Sequence, residues 1–332
     1  MIKKIALVTG GYSGESVISY KSADAIRQNI DSGKWDCYVV DIRHEGWFYK
    51  GESGEETPID KNDFSLNLKG NKINFDAVLI GLHGTPGEDG KLQGYFDCLG
   101  IPYTSCDAAT SALTFNKRYT VAVAAFAGIH VAKSVHLFKG DNNSPKDILD
   151  QLSLPLFVKP NNGGSSIGMS KVNASDHLEA ALQKAFLEDE QVLAEEFIEG
   201  RELTIGVFKS GGKIITLPMT EIITNNDFFD YEAKYEGESE EVTPAAVPEE
   251  IAQAVRAAAE KIYKVFNCKG IVRIDFIFDA VKCVPYMLEI NTVPGQSAAS
   301  IVPQQVAAMN WTLKEFYSAL IQECLADDYI AP

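Results

Sequence analysis

The chain has 332 residues, of which 45% are hydrophobic and 23% charged, as in soluble globular proteins large enough for two or three domains. Its formal net charge of −16 argues against a general nucleic-acid or anionic-membrane binder, since both of those partners require a basic surface. Six cysteines form no CxxC pair, which favours free, buried thiols in a reducing cytoplasm over disulfides. The first apolar run ends at Gly10, too early for a signal peptide or a membrane span, so we expect a cytoplasmic protein.

The first hundred residues alternate between strands, glycine-rich turns and helices. Predicted strands and helices are residues 4–8, 17–29, 38–42, 76–82 and 92–99. The loops GGYSGE and HGTPGEDG each follow a strand. This alternation predicts a parallel α/β domain over residues 1–104, in which ligands bind at the carboxyl ends of the strands, where both loops lie.

A change of pattern from residue 105 predicts a central domain over residues 105–190. A helical stretch ends near Gly128, and the strand LPLFVKP precedes the loop NNGGSSIG and the strand MSKV. The amphipathic segment SDHLEAALQKAF predicts a helix with Ser175 as its cap.

The remaining residues, 191–332, are predicted to form a third domain around an antiparallel sheet. Its expected strands are VLAEEFI, ELTIGVF, KIITLPMTEI and IVRIDFIF. A helix face that begins at Ile251 predicts a helix with Gly270 as its stop. The polar segment 224–247 is too long for a simple connector, and such loops are usually functional.

Three oxygen-bearing side chains stand on the last two predicted strands. Glu289 and Asn291 are two residues apart, so both point to one side of a strand, and Asp275 lies on the strand before them. Carboxylate and amide oxygens without His or Cys suit Mg²⁺ and argue against zinc. Ordinary alternation on a half-buried sheet explains each motif taken alone.

Lysines and glutamates near the central glycine loop suggest a nucleotide site, with simpler explanations open for each. Lys159 precedes a Gly/Ser loop whose N–H groups and hydroxyls could contact phosphate, although a hairpin turn with a solvent lysine has the same pattern. Glu195 and Glu202 could contact adenine and ribose, or belong to a solvated acidic face. Lys117 could be a second phosphate contact or a surface lysine. No P-loop or dinucleotide fingerprint is present.

Taken in order, these motifs resemble the D-alanine–D-alanine ligase family over essentially the whole chain. The resemblance rests on GGYSGE, HGTPGEDG, VKPNNGGSSIGM, EEFIEGRE, YEAKY, the RID of IVRIDFIF, and EINTVPG. It implies an ATP-grasp fold, in which an N-terminal parallel α/β domain is followed by two α+β domains that enclose ATP. It also implies ATP-dependent joining of two D-alanines through an acyl phosphate, for peptidoglycan synthesis, by a cytoplasmic homodimer.

The resemblance implies roles for particular residues. ATP contacts are implied for Lys117, Lys159 and Lys234 at the phosphates, Glu195 and Glu202 at adenine and ribose, and Phe197, Phe228 and Leu288 beside the base. Two Mg²⁺ ions, replaceable by Mn²⁺, are implied at Asp275, Glu289 and Asn291. Glu15 and His83 are implied to contact the first D-alanine, with Ser165 and Tyr235 in a hydrogen-bonded set with Glu15. Arg273 and the Gly295 N–H are implied to stabilise the oxyanion. Ser300 and the Ile301 N–H are implied to bind the second carboxylate. Segment 224–247 is implied to be a lid that excludes water.

The chain departs from the family pattern at several positions, and two other functions remain open. The departures are Ser16, Val17, Asn116, Val121, Glu196 and Gln296–Ala299. We expect them to shift affinities and to leave the reacting core intact. One alternative is a ligase that takes D-lactate or D-serine as its second substrate. Tyr235 in YEAKY argues against D-lactate. The other is a non-catalytic nucleotide-binding protein, which the metal-binding set and Arg273 disfavour.

Overall fold

The computed structural model describes residues 2–51, 53–142, 144–164, 167–224 and 239–326. The helices are α1 Ser16–Asn29, α2 Lys91–Leu99, α3 Ala108–Phe115, α4 Lys117–Phe126, α5 Pro145–Leu149, α6 Leu178–Glu188, α7 Glu249–Val265, α8 Ile301–Ala308 and α9 Leu313–Ala326. The strands are β1 Lys3–Gly10, β2 Trp35–Arg43, β3 Gly46–Lys50, β4 Glu56–Asp60, β5 Ser65–Leu68, β6 Asn71–Ile73, β7 Ala77–Ile80, β8 Ser134–Phe138, β9 Leu156–Pro160, β10 Ser170–Val172, β11 Gln191–Glu196, β12 Arg201–Ser210, β13 Lys213–Thr216, β14 Thr220–Thr224, β15 Ser239–Val242, β16 Val272–Asp279 and β17 Val284–Asn291.

The N-terminal sheet has seven strands in the order β6-β5-β4-β3-β2-β1-β7. Strand β1 runs parallel to both β2 and β7, which confirms the predicted parallel core. The strands β3 to β6 extend this sheet in antiparallel hairpins that the sequence analysis missed. They have only three to five residues each, and short segments carry little periodic signal.

The central sheet has four strands in the order β10-β9-β11-β8, and α6 packs on it through residues such as Leu178 and Leu182. VLAEEFI was predicted as a strand of the third sheet, which is wrong: it forms β11, which pairs with β8 and β9 and completes the central sheet. The domain limits themselves stay a prediction. Ser175 does not cap α6 as expected. It begins a short 3₁₀ turn, Ser175–His177, and no side-chain cap bond precedes the helix.

The third sheet follows the order β15-β14-β12-β16-β17, with β13 paired to the far end of β12. All of its pairings are antiparallel, as predicted. KIITLPMTEI was expected to form one strand but forms two, because the chain leaves the sheet around Pro218. Helix α7 ends at Val265, and Asn267 takes the positive φ beyond its end, so Gly270 is not the stop.

Two further predictions are corrected by the local structure. The helical stretch before Gly128 is two helices, α3 and α4, which break at Asn116 because that residue has extended backbone angles. All six cysteines are free, as predicted, but only Cys106 and Cys268 are buried. Among the described residues, none of the helices is long and apolar enough to cross a membrane.

The C-terminal helices join the third sheet to the N-terminal domain. One apolar cluster combines Ile5 and Leu7 of β1 with Phe208 of β12 and with Phe316 and Ile321 of α9, all fully buried. This packing places the ends of β1, β7 and β17 and the start of α8 close together. The residues of interest lie around that junction.

Candidate active site

Strands β16 and β17 present four polar side chains on one face. Asp275 pairs with Glu289 and Arg273 pairs with Asn291, so the two motifs meet across the hairpin. The register then shifts, so that Phe276 pairs with Met287 and Leu288 is the extra residue of a bulge. The strand spacing seen in the sequence therefore produces one compact cluster.

Arg273 is held by the carboxylates of this cluster. Its Nε donates to Asp275 Oδ1 at 2.9 Å and its Nη2 to Asp275 Oδ2 at 2.7 Å, while Glu289 Oε1 lies 3.7 Å away. Burial disfavours the charged guanidinium, but its attraction to Asp275 and its hydrogen bond with that residue outweigh this effect, so the pKa of Arg273 is raised. The side chain is a fixed positive charge at any accessible pH.

The donor set of this face fits a hard divalent cation. Thr204 on the neighbouring strand β12 donates its hydroxyl to Asp275 Oδ1, which orients that carboxylate. Asn291 Oδ1 accepts from the Val293 N–H at 3.1 Å and keeps a free lone pair. In the described part of the chain, no three His, Cys, Asp or Glu side chains form a metal cluster. Two carboxylates and one amide fit Mg²⁺, which usually completes its shell with substrate phosphates and water.

Glu15 lies where three loops meet. It precedes α1, and its carboxylate sits between two glycines of other loops. A Cβ on Gly84 would lie 2.5 Å from Glu15 Oε2, and one on Gly164 would lie 2.8 Å from Oε1. Only glycine permits this approach, so the structure brings together the loops GGYSGE, HGTPGEDG and NNGGSSIG as the sequence suggested.

A buried chain of hydrogen bonds fixes His83 beside this junction. His83 Nε2 lies 2.9 Å from the Ser22 hydroxyl, which also accepts from the Gln296 N–H at 3.1 Å. The backbone N–H of His83 donates to the Ser19 hydroxyl at 2.9 Å. The side chain of Gln296 in turn accepts from the Tyr317 hydroxyl at 3.3 Å. Gln296 thus supports His83 through its backbone N–H, while its side chain contacts Tyr317.

Lys159 and Glu195 form a buried ion pair across strands β9 and β11. The Phe197 ring, just after β11, lies 5.9 Å from the Phe157 ring between their centroids. The Lys171 ammonium stands 4.4 Å from the centroid of the Phe197 ring. Glu196, another departure, faces away and accepts from the Ser153 N–H at 2.8 Å. The two residues predicted for phosphate and adenine are therefore neighbours that neutralise each other.

Lys117 lies at the start of α4, against the central glycine loop. Its ammonium donates to the Gly163 carbonyl at 2.6 Å, and its N–H donates to the Asn161 carbonyl at 3.1 Å. The buried Asn161 side chain accepts from the Arg118 N–H at 2.8 Å. Asn116 caps α4 by accepting from the Tyr119 N–H at 3.1 Å, so the departure there keeps a capping function.

The remaining predicted groups stand at the start of α8. Ser300 precedes the helix, Ile301 is its first residue, and the Ser300 hydroxyl lies 2.8 Å from that of Ser297. A Cβ on Gly295 would be 2.7 Å from Ser300 Oγ, so these residues are adjacent. A helix N-terminus presents unpaired N–H groups that favour a carboxylate.

Some predicted residues are not tested by this geometry. Glu202 and Leu288 are partly buried on β12 and β17. The following residues lie outside the described parts of the chain: Ser165, Phe228, Lys234 and Tyr235. Their roles stay predictions.

The sequence analysis missed several residues that support this site. Ser19 and Ser22 lie on the buried face of α1, and Thr204 is a buried hydroxyl on β12. Serines at i and i+3 on an otherwise apolar helix face were a usable signal. Thr204 had no such signal, since threonine is common in strands.

Comparisons with known proteins agree with this geometry. Residues 4–106 match the family model described as D-ala D-ala ligase N-terminus, and residues 116–322 match that of the D-ala D-ala ligase C-terminus. A D-alanine–D-alanine ligase of Parabacteroides distasonis is 45% identical over 97% of this chain and 98% of its own. A D-Ala:D-Ser ligase structure from Enterococcus faecalis has a TM-score of 0.88 and 31% identity, covering 98% and 100%. An ATP complex of the Bacillus anthracis D-alanine–D-alanine ligase has a TM-score of 0.78 and 27% identity, covering 97% of each chain.

The arrangement of three sheets around one site is that of the ATP-grasp class of enzymes, as predicted. Within that class, the chain belongs to the D-alanine–D-alanine ligase family.

Proposed function

We propose that this protein uses ATP to join two D-alanines into D-alanyl-D-alanine. The observation that carries the proposal is the face of β16 and β17, where Arg273, Asp275, Glu289 and Asn291 stand together. Family membership supports the same activity, because the relative from Parabacteroides distasonis is named a D-alanine–D-alanine ligase. The product would serve peptidoglycan synthesis in the cytoplasm, and the working form would be a homodimer.

ATP would lie between the central and third sheets. Lys117 and Lys159 would contact its phosphates together with Lys234, while Glu195, Glu202, Phe197, Phe228 and Leu288 would surround adenosine. Lys159 is paired with Glu195, so a contact of Lys159 with a phosphate would exchange that carboxylate for the phosphate. Binding is favoured because a phosphate carries more charge and more acceptor oxygens than a carboxylate.

Two Mg²⁺ ions, or Mn²⁺ in their place, would be held by Asp275, Glu289 and Asn291. When bound, they neutralise charge on the phosphates and on the transferred phosphoryl group. Arg273 would then give up part of its contact with Asp275 and remain beside the reacting carbonyl.

In the first step, the carboxylate of one D-alanine attacks the γ-phosphorus of ATP, and ADP leaves. Glu15 would hold the ammonium of that D-alanine, with His83 nearby and with Ser165 and Tyr235 completing the set. The products are a D-alanyl phosphate and ADP. This step needs positioning and charge neutralisation more than covalent assistance from the protein.

In the second step, the free amine of the other D-alanine attacks the acyl phosphate, and phosphate leaves after a tetrahedral intermediate. Arg273 and the Gly295 N–H would stabilise the oxyanion, since preorganised donors act at this point of the reaction. The Ser300 hydroxyl and the Ile301 N–H would hold the second carboxylate. Segment 224–247 would exclude water from the site and so protect the acyl phosphate from hydrolysis.

One alternative differs only in the second substrate. The D-Ala:D-Ser ligase of Enterococcus faecalis matches nearly the whole chain in structure, so D-serine is a second candidate. Phosphate release would be measured at neutral pH with D-alanine alone, with D-alanine plus D-serine, and with D-alanine plus D-lactate. We expect D-alanine alone to give the fastest formation of product. Faster turnover with D-serine or D-lactate would overturn the assignment.

The other alternative is a protein that binds nucleotide without catalysis. Asn291→Ala should abolish turnover and leave ATP binding measurable by calorimetry, because it removes a metal ligand and no nucleotide contact. An unchanged turnover rate would contradict the predicted metal set. A wild-type protein that binds ATP but releases no phosphate with any of the three substrates would support the non-catalytic alternative.

A further inference from the structure

The edge of β12 has a gap where its neighbours change. β14 pairs with Glu202–Thr204, and β13 pairs with Val207–Ser210. Between them, Leu217 bonds only to the Gly206 carbonyl. Thr204 is the last residue of β12 that pairs with β14, so the Gly206 N–H beyond it needs another partner in a buried part of the sheet, where an unpaired backbone group is costly.

The side-chain amide of Gln305 fills this gap. Its Oε1 accepts from the Gly206 N–H at 2.9 Å, and its Nε2 donates to the Thr204 carbonyl at 3.0 Å. The second hydrogen on Nε2 points to the Thr220 hydroxyl at 3.1 Å, which lies 2.6 Å from that of Thr243. The amide is fully buried, and it gives the Gly206 N–H an acceptor and the Thr204 carbonyl a donor.

Gln305 comes from α8, the helix that begins at Ile301 directly after Ser300. It lies one turn along from the two groups proposed for the second carboxylate. An α-helix turn has 3.6 residues, so a side chain fixed at Gln305 also fixes the position of the helix start. The amide therefore attaches the proposed acceptor-substrate site to β12.

At the other end of the contact, β12 orients a proposed metal ligand. Thr204 accepts from Gln305 with its carbonyl and donates with its hydroxyl to Asp275. Both bonds belong to one residue of a strand buried in the sheet. A shift of the Thr204 backbone would move the hydroxyl that holds Asp275.

We infer that Gln305 is a positioning residue that sets the second-substrate site and the metal ligand Asp275 relative to each other. This inference rests on the proposed function for its substrate and metal, and it adds a residue with no direct contact to either. The geometry requires an amide, because the site needs one acceptor and two donors in one plane, which aliphatic side chains lack. Removing the amide should weaken both sites together.

The first experiment uses Gln305→Met in the full chain, which keeps the side-chain length and removes the three hydrogen bonds. The KM of the second D-alanine comes from initial rates of phosphate release fitted with separate constants for the two amino-acid sites. The affinity for Mn²⁺ in the presence of ADP is measured by calorimetry, without turnover. We expect each constant to weaken about tenfold, equal to about 1.4 kcal/mol.

Two further variants separate positioning from general destabilisation. Thr110→Val removes a buried hydroxyl that donates to the Phe266 carbonyl at 2.9 Å, away from the site. It should lower Tm and leave both constants at the wild-type value. Thr204→Val keeps the Gln305 contacts and removes only the hydroxyl on Asp275, so it should weaken Mn²⁺ binding and leave the second KM unchanged.

The inference is wrong if Gln305→Met lowers Tm but changes neither constant, as expected of a purely structural residue. If that variant does not fold, Gln305→Glu decides, because it retains the shape and the acceptor for Gly206 but loses the amide donors. Wild-type constants in Gln305→Glu would also overturn the inference. A wild-type enzyme that binds Mn²⁺ but forms no dipeptide would refute the proposed function alone, and the Mn²⁺ affinities of the variants would still decide the role of Gln305.

Discussion

Strands and loops position the candidate site by different physical means. On β16 and β17, the pairing register alone places Arg273 opposite Asn291 and Asp275 opposite Glu289, and each charge already has a partner. At the glycine loops, Glu15 is positioned by the close approach of Gly84 and Gly164, which lack side chains. On the strands, a bound ligand can replace the present partner of a charged side chain. At the loops, the position of Glu15 depends on the lack of a side chain at Gly84 and Gly164. Substitutions should therefore have different consequences in the two parts.

The largest effect is expected in the strand part, from Arg273→Met. The variant removes the proposed oxyanion donor and leaves Asp275 without its partner, so kcat should fall by a factor on the order of 10²–10³. Phosphate release with D-alanine measures it. Arg256→Met is the control, because Arg256 makes an exposed ion pair with Glu249 on α7 and should retain wild-type kcat. A loss below tenfold in Arg273→Met would contradict the role.

Lys159→Met tests the exchange of an ion-pair partner on strands β9 and β11 of the central sheet. It removes one proposed phosphate contact and leaves the buried Glu195 carboxylate unpaired. Hydrogen bonds to charged groups contribute about 1.5–3 kcal/mol, so the KM for ATP should rise by roughly 10-fold to 100-fold. The exposed Lys139, which bonds to the Phe186 carbonyl, supplies the control Lys139→Met. An unchanged KM for ATP would show that Glu195, and no phosphate, is the functional partner of Lys159.

Gly84→Ala tests the loop part. A Cβ there would lie 2.4 Å from Ser13 Oγ and 2.5 Å from Glu15 Oε2, so Glu15 must move and the KM of the first D-alanine should rise about tenfold, or about 1.4 kcal/mol. Gly100→Ala is matched for backbone strain, since its φ of 66° is close to the 69° of Gly84, and nothing lies within 4 Å of its Cβ. Both variants should lower Tm, but only Gly84→Ala should change the KM. Equal kinetics would indicate that free space at Gly84 is unimportant.

The smallest effect is expected from Glu241→Gln on β15, the edge strand of the third sheet. Burial raises the pKa of Glu241, although a hydrogen bond from Gln304 at 3.0 Å and the charge of Arg273 oppose this. Because the folded pKa is above the unfolded one, the wild type loses stability as pH rises from the unfolded pKa through the folded one. Glu241→Gln should therefore raise Tm slightly at pH 7, and the gain should vanish at acidic pH where both states are protonated. A gain that is larger in acid would reverse the predicted sign.

Much of this protein could be predicted from local sequence. Alternation in IVRIDFIF and the spacing of Glu289 and Asn291 correctly placed three donors on one face, because the two-residue period of a strand is a local property. The family was also predicted, and the comparisons confirm it. The predicted roles of the site residues remain to be tested. Helix limits were wrong where one residue changed the backbone, as at Asn116 and Asn267.

Residue order alone was enough for the parallel core of the first sheet, the antiparallel pairing of the third sheet and the adjacency of Asp275, Glu289 and Asn291. These follow from periodicity and from turn residues, which act over a few positions. Only the tertiary structure decided that Lys159 meets Glu195, that Ser22 and Gln296 support His83, and that Gln305 closes the edge of β12. Those contacts join residues 36 to 274 positions apart, or helices to sheets, and local propensity carries no information about them.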